Sequence, residues 1–185
     1  NRPFFICTPS ILYTYFTSSD FACQTCFRYF LLLCYNVTHE VISMAIDGLL
    51  LRQLRIEIAQ ALPAKLLKLQ QISDTELLFT LRTQTGNQKL LISLHSVYNR
   101  INFTKESYTT MEVPSNFLML LRKQIDGGIL HTIEQLGLDR ILHMELEARN
   151  ELGDIHKKHL YIELMGKYAN IILVDEDGRI VDALK

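Results

Sequence analysis

The residues best suited to chemistry in this chain are an adjacent acid and base, Asp139-Arg140, just after Gly137. Arginine presents a planar fork of N–H donors that grips a phosphate or a base edge through two bonds at once. A neighbouring carboxylate accepts from a ribose hydroxyl or an exocyclic amine. The pair therefore suits RNA recognition, and Gly137 gives the turn conformational freedom. The same two residues also suit an internal ion pair that holds a strand start, the commoner use of such dipeptides. Asp47 stands before an apolar-periodic run, where its simplest use is a helix N-cap. Arg149-Asn150-Glu151 and Arg122-Lys123 are the next polar clusters, and their cations could meet RNA phosphates. Arg122-Lys123 fits the solvated face of a helix equally well, and Asn150 fits an ordinary turn.

Other groupings carry weaker signals. Tyr98, in a run with His95 and Arg100, could stack on a base, although a tyrosine at a strand end is more often core or rim. His143 and Glu145 share one face at strand spacing, with His156 and His159 nearby. A metal needs converging ligands, and such alternation is commonplace on a wet strand face. Cys23-Gln-Thr-Cys26 is a lone CxxC with no second ligand pair at finger spacing. No GxSxG, no cysteine after Met44, no paired-carboxylate motif, no P-loop and no dinucleotide fingerprint is present. These absences weigh against hydrolase chemistry, and neither metal nor cofactor is expected.

The elements that must position these residues are legible from periodicity. Asp47 precedes Leu50, Leu54, Ile58 and Leu62 at helical spacing and Pro63 stops the run, which predicts a helix over 47–62. Apolar-rich runs predict strands over 64–71, 76–83 and 89–94, the last two joined by a tight turn at Thr85-Gly86-Asn87. A short strand follows at 99–103, then a polar loop. Pro114-Ser115 opens a second helix over 116–125, which Gly127-Gly128 ends. Strands are then predicted over 129–136, 141–149, 159–165, 170–174 and 179–184. Adjacent strands with two helices argue an α+β fold with mainly antiparallel sheets.

Composition divides the chain at its first methionine, Met44. All four cysteines, ten of the seventeen aromatics and no glycine lie before it, as do only four charged residues. Residues 1–43 lack helical or strand periodicity. Their most apolar run, at 29–35, is far shorter than the ~20 residues that span a bilayer, and no signal-peptide pattern surrounds it. They are expected to be translated upstream sequence, poorly packed, with the native protein beginning at Met44. Residues 44–185 are expected to form a nearly complete domain, with downstream domains absent. The whole chain carries 19 basic and 20 acidic residues, a net charge of −1. An RNA-binding surface here must be local, because no global basic excess draws in phosphates.

Six runs taken in order resemble one family. They are Asp47-Gly48, LLISLHSVYNRI at 90–101, FLMLLRKQIDGG at 117–128, EQLGLDRI at 134–141, RNELGD at 149–154 and LYIELMGKYANIIL at 160–173. Their order and spacing are similar to the N-terminal domain of the NFACT family, the RqcH / fibronectin-binding-protein-A group. The resemblance implies an antiparallel β-sandwich flanked by helices, like the N-terminal domain of formamidopyrimidine-DNA glycosylases. It implies a ribosome-associated quality-control factor that acts in the cytoplasm. Its partners would be alanyl-tRNA and stalled large ribosomal subunits carrying peptidyl-tRNA, where it supports alanine tailing without mRNA. It further implies that Asp47, Asp139 and Arg140 engage tRNA. Arg149, Asn150, Arg122 and Lys123 are expected as additional RNA contacts. The run around His95 departs from the family pattern at Ser96-Val97, so no role is carried over there.

Two other functions compete with this one. A DNA glycosylase on the same fold would need an N-terminal proline amine as nucleophile, and Ala45 follows Met44 instead. The domain is therefore expected not to be an enzyme. An adhesin that binds fibronectin is implied by the older family name, with a surface-exposed fraction of the protein, and no secretion signal or wall anchor supports it.

Overall fold

A computed structural model describes residues 46–149 and 153–185. Segment 1–43, Met44 and Asn150 lie outside the described residues. Asp47 caps the first helix, α1 (Gly48–Ala59), by accepting from the Leu50 N–H at 2.7 Å. Leu51 and Ile58 on α1 are buried. The helix stops before the predicted Leu62. Ala61 and Leu62 bond to the carbonyls of Ile58 and Ala59, a tightened final turn that ends the helix where Pro63 disfavours helical backbone before it.

The strands are β1 (Ala64–Ser73), β2 (Glu76–Thr83), β3 (Gly86–Ser93), β4 (Arg100–Thr104), β5 (Ile129–Gln135), β6 (Ile141–Arg149), β7 (Ile155–Glu163), β8 (Asn170–Val174) and β9 (Ile180–Ala183). The second helix, α2 (Asn116–Ile125), lies where it is predicted and is capped by the Ser115 hydroxyl, which accepts from the Leu118 N–H. Two strands start three or more residues before the expected position, and other strand ends shift by one or two residues. Gly86 already pairs with Thr83, so the β2–β3 turn is Gln84-Thr85, closed by the Thr83 hydroxyl donating to the Gly86 carbonyl at 2.8 Å. β7 begins four residues early because it pairs with β6 along its whole length, from Ile141–Glu163 to Arg149–Ile155.

Among the described residues the pairings are all antiparallel, in the order β4-β3-β2-β1-β5-β6-β7-β8-β9. Two meanders thus meet at β1 and β5, which share just two residue pairs, Ala64–Leu130 and Lys65–Ile129. Each strand shifts register immediately beyond, between Leu66 and Lys68 on β1 and between Leu130 and Thr132 on β5. Such bulges bend and twist a strand, and here they let one continuous sheet fold over. The predicted sandwich is therefore built from two limbs of a single sheet.

The limbs share one core. Leu66, Phe79, Leu90 and Ile101 from the first join Leu142, Met144, Leu160 and Ile171 from the second, with Phe117, Leu118, Leu121 and Ile125 of α2. α2 packs on β1 and β6, and α1 on β4 and β5. Where β1 leaves β5, its polar edge is covered: the Leu66 N–H donates to the Gly128 carbonyl, and the Gln71 carbonyl accepts from the Met111 N–H. This satisfies backbone groups that would otherwise form an open edge. Among the described residues, no helix is long and apolar enough to cross a membrane.

Candidate nucleic-acid interface

The Asp139-Arg140 pair sits on the short connection between β5 and β6. Gly137 adopts φ 62°, and the Asp139 N–H donates to the Leu136 carbonyl at 3.1 Å. Glycine tolerates that left-handed backbone without steric cost. The turn is pinned from both sides. The Gln135 amide nitrogen donates to the Asp139 carbonyl and to the Gly48 carbonyl, each at 2.8 Å. On the other side, the Arg140 carbonyl accepts from the Leu164 N–H at 2.8 Å.

Gln135 thereby joins the turn to the start of α1. Gly48 makes the approach closer still, because a Cβ there would overlap the Leu138 carbonyl oxygen. Asp47 and Asp139-Arg140, 92 positions apart in sequence, are therefore brought together. Exposed Leu49, Leu136 and Leu138 surround them.

The internal ion pair weighed from sequence does not form. Asp139 Oδ1 instead accepts from the Arg140 backbone N–H at 2.7 Å. Among the described residues, the half-buried Arg140 guanidinium has no hydrogen-bond or ion-pair partner. Its donors are thus presented from a fixed backbone. Asp47 does act as an N-cap, through one carboxylate oxygen, and the second has no partner among the described residues.

The other basic positions lie elsewhere. Arg122 turns toward the fold: its Nε and Nη2 both donate to the Leu69 carbonyl, at 3.0 and 2.8 Å. It clamps α2 onto the uncovered part of β1, which is a structural role rather than an exposed RNA contact. Lys123 is exposed on the same helix. Arg149 is exposed at the far end of β6, roughly 26 Å from Ile141 at ~3.3 Å per residue. It does not join the Asp139-Arg140 turn.

Sequence reasoning missed Gln135 and the Lys167-Tyr168 pair. Gln135 belongs to no motif, and only the fold shows that its amide bridges two distant carbonyls. Lys167 and Tyr168 follow Gly166, which adopts φ 58° in a 3-10 turn (Gly166–Tyr168). Tyr168 is 71% exposed, with the Lys167 ammonium 4.9 Å from its ring centroid. A basic residue next to an aromatic after a turn glycine was the available signal.

His143 and His159 hydrogen-bond each other, Nε2 to Nδ1 at 3.0 Å, and His143 also stacks on Tyr161. Burial, then the nearby His159, lowers the His143 pKa, against a smaller opposing pull from Glu134 and Glu145. Among the described residues, no group of three or more His, Cys, Asp or Glu converges as metal ligands would.

Comparisons with known proteins show the family and the fold. The family model for NFACT N-terminal and middle domains matches residues 47–185. The Rqc2 homolog RqcH of Bacillus subtilis is 39% identical over 152 residues, covering 82% of this chain and 24% of that protein. The Rqc2 homolog RqcH of Streptococcus suis is 37% identical over 144 residues, covering 77% of this chain and 26% of that protein. The chain thus spans about a quarter of the length of these relatives. Among solved structures, the N-terminal domain of the fibronectin-binding protein PavA from Streptococcus pneumoniae superposes with a TM-score of 0.73 and 35% identity. That match covers 75% of this chain and 53% of the other.

Proposed function

This chain belongs to the NFACT family, and from that premise we propose that it is the tRNA-engaging module of a ribosome-associated quality-control factor. Asp139 and Arg140 grip the tRNA, and Asp47 lines the same site. The RNA recognised is alanyl-tRNA, brought to large ribosomal subunits that still carry peptidyl-tRNA, so that alanine is added without mRNA. The module holds RNA and does no covalent chemistry itself; peptide-bond formation belongs to the ribosome. It works in the cytoplasm, on ribosomes.

The observation that carries this reading is the Arg140 guanidinium, unpartnered among the described residues on a turn fixed by Gln135 and Leu164. A bidentate arginine contact to a phosphate or base edge is worth ~1–3 kcal/mol, so one residue matters at this scale. Asp139→Ala with Arg140→Ala should abolish alanine tailing by the full-length protein and lower tRNA affinity by about tenfold or more. The circular dichroism spectrum should stay unchanged, since neither side chain is in the core. Normal tailing by the double variant refutes the site.

A second reading, fibronectin binding at the cell surface, is favoured by the name of the structural neighbour PavA. Surface labelling of intact cells tests it: the protein should be labelled if this reading holds, and protected if it does not.

A further inference from the structure

We propose that the cleft between α1 and β5 captures the C-terminal carboxylate of a peptide whose last residue is apolar. This goes beyond the tRNA reading and uses neither Asp47 nor the Asp139-Arg140 turn.

The cleft has a volume of about 320 Å³. Arg55 of α1 lines it from one side, and His131, Thr132 and Glu134 of β5 from the other. Two local features open it. Ala59 follows Arg55 by one turn on the same helix face, and its short side chain leaves room beside the guanidinium. On β5, the bulge between Leu130 and Thr132 breaks the alternation, so His131 and Thr132 are both exposed. Bulges re-aim side chains in this way and recur beside functional sites.

Arg55 Nε is shielded from solvent and has no hydrogen-bond partner among the described residues. A buried donor left unpaired costs stability, and such groups are rare in folded proteins. An acceptor brought by a ligand satisfies this one. Glu134 lines the same cleft, yet among the described residues no ion pair joins it to Arg55. His131 already has a partner, with Nε2 3.4 Å from a Glu147 carboxylate oxygen. The cleft therefore offers one free cation, one free carboxylate and the Thr132 hydroxyl. Ala59, Leu62, Pro63 and Ile133 add an apolar wall.

A single C-terminal residue matches all of these groups. Its carboxylate takes the Arg55 fork, its amide N–H donates to Glu134 or Thr132, and its side chain lies on the apolar wall. The volume stands at the small end of the ~300–1,000 Å³ of ligand pockets, which suits the end of a chain. An internal aspartate or glutamate brings chain on both sides of its carboxylate, which needs more room. A run of phosphates fits worse still. Glu145 and Glu147 of β6 pair with β5 beside the cleft, and together with Glu134 they repel a polyanion. Arg55 stands about 12 Å along α1 from Asp47, at ~1.5 Å per residue, so peptide and tRNA binding can be separated.

The test uses the full-length protein and fluorescence anisotropy. The probes are N-terminally fluorescein-labelled Gly-Gly-Gly-Xaa peptides, with Xaa as Ala, Val or Leu, each as the free acid and as the C-terminal amide. A peptide with an internal aspartate and an amidated end is the third kind of probe. At least one free acid should bind, and its amide should bind about tenfold or more weakly, having lost a charge-assisted contact. Arg55→Met should weaken binding of the acid by the same factor. Thr132→Glu, at an exposed strand position, should abolish it by like-charge repulsion. Without peptide, Arg55→Met should keep or raise the melting temperature, because it removes the unpaired donor; a merely structural Arg55 predicts a fall. Affinity for tRNA should not change in either variant.

Equal binding of acid and amide, equal binding of the internal-aspartate peptide, or no binding by any free acid overturns the proposal and leaves the tRNA reading standing. Weaker tRNA binding by Arg55→Met, with no capture of peptide, overturns it as well and assigns the cleft to RNA. The tRNA reading fails separately, on normal tailing by the variant that lacks Asp139 and Arg140.

Discussion

Gly48 shows how one residue can decide whether a site exists. It has an ordinary helical position and needs no unusual φ, yet no side chain fits, because a methyl group would overlap the Leu138 carbonyl oxygen. That carbonyl belongs to the turn bearing Asp139 and Arg140. Gly48→Ala must therefore push α1 away from the turn or distort both. Overpacking of this kind costs ~1–3 kcal/mol, so the melting temperature should fall. Affinity for tRNA should fall with it, since Asp47 and Arg140 no longer share one frame. A variant with wild-type melting and binding would show that helix and turn act independently. Gln135 has the complementary role. Its NH2 end must face the two carbonyls it bridges, which leaves its Oε1 buried without a partner among the described residues. That orphaned acceptor costs stability, and the fold tolerates it because the amide joins two segments of the site.

At the scale of elements, the β6–β7 hairpin couples the fold to pH. The rings of His159, His143 and Tyr161 run across its outer face. Desolvation and the neighbouring His159 hold His143 below the ordinary histidine value. The unfolded chain therefore binds a proton more readily than the folded one, and stability rises with pH wherever that holds. The contribution is fully present above the unfolded value of about 6.5 and is lost as pH falls from there through the folded pKa. Melting temperature should drop between neutral and mildly acidic pH, and His143→Gln should flatten that drop. An unchanged slope in the variant would place the titrating group elsewhere. On the same hairpin, Glu145 and Lys157 pair at 2.9 Å, which lowers the carboxyl pKa and raises the ammonium. Both stay charged across this window, so the pair does not compete with His143 as the source of the effect.

For the molecule as a whole, a junction of two residue pairs between β1 and β5 would be a weak hinge if each limb had its own core. Instead, both limbs and both helices contribute to a single hydrophobic cluster. Neither limb can leave without exposing the apolar face of the other, and burial of that kind dominates stability. Unfolding of the domain should be one cooperative transition, with circular dichroism and tyrosine fluorescence tracing the same curve. Two separated transitions would mean that the limbs fold as independent sheets.

Much of this was legible in the amino-acid sequence, for local reasons. α2, β2, β6 and β8 begin and end where periodicity, Ser115 and the turn residues place them, because caps, side-chain alternation and turn chemistry act over a few residues. The six ordered runs identified the family for the same reason, since each is a short local pattern. What the sequence left open was decided by contacts between distant segments. Arg122-Lys123 looked like one basic cluster, and only packing against the Leu69 carbonyl turned Arg122 inward. Arg149 was the next candidate after Arg140, and β6, whose bounds were already legible in the sequence, sets the two at opposite ends. Asp47 and Asp139 became neighbours only through Gln135 and the absence of a side chain at Gly48. A pattern along the chain records what each residue can do, whereas long-range packing determines which residues share a surface.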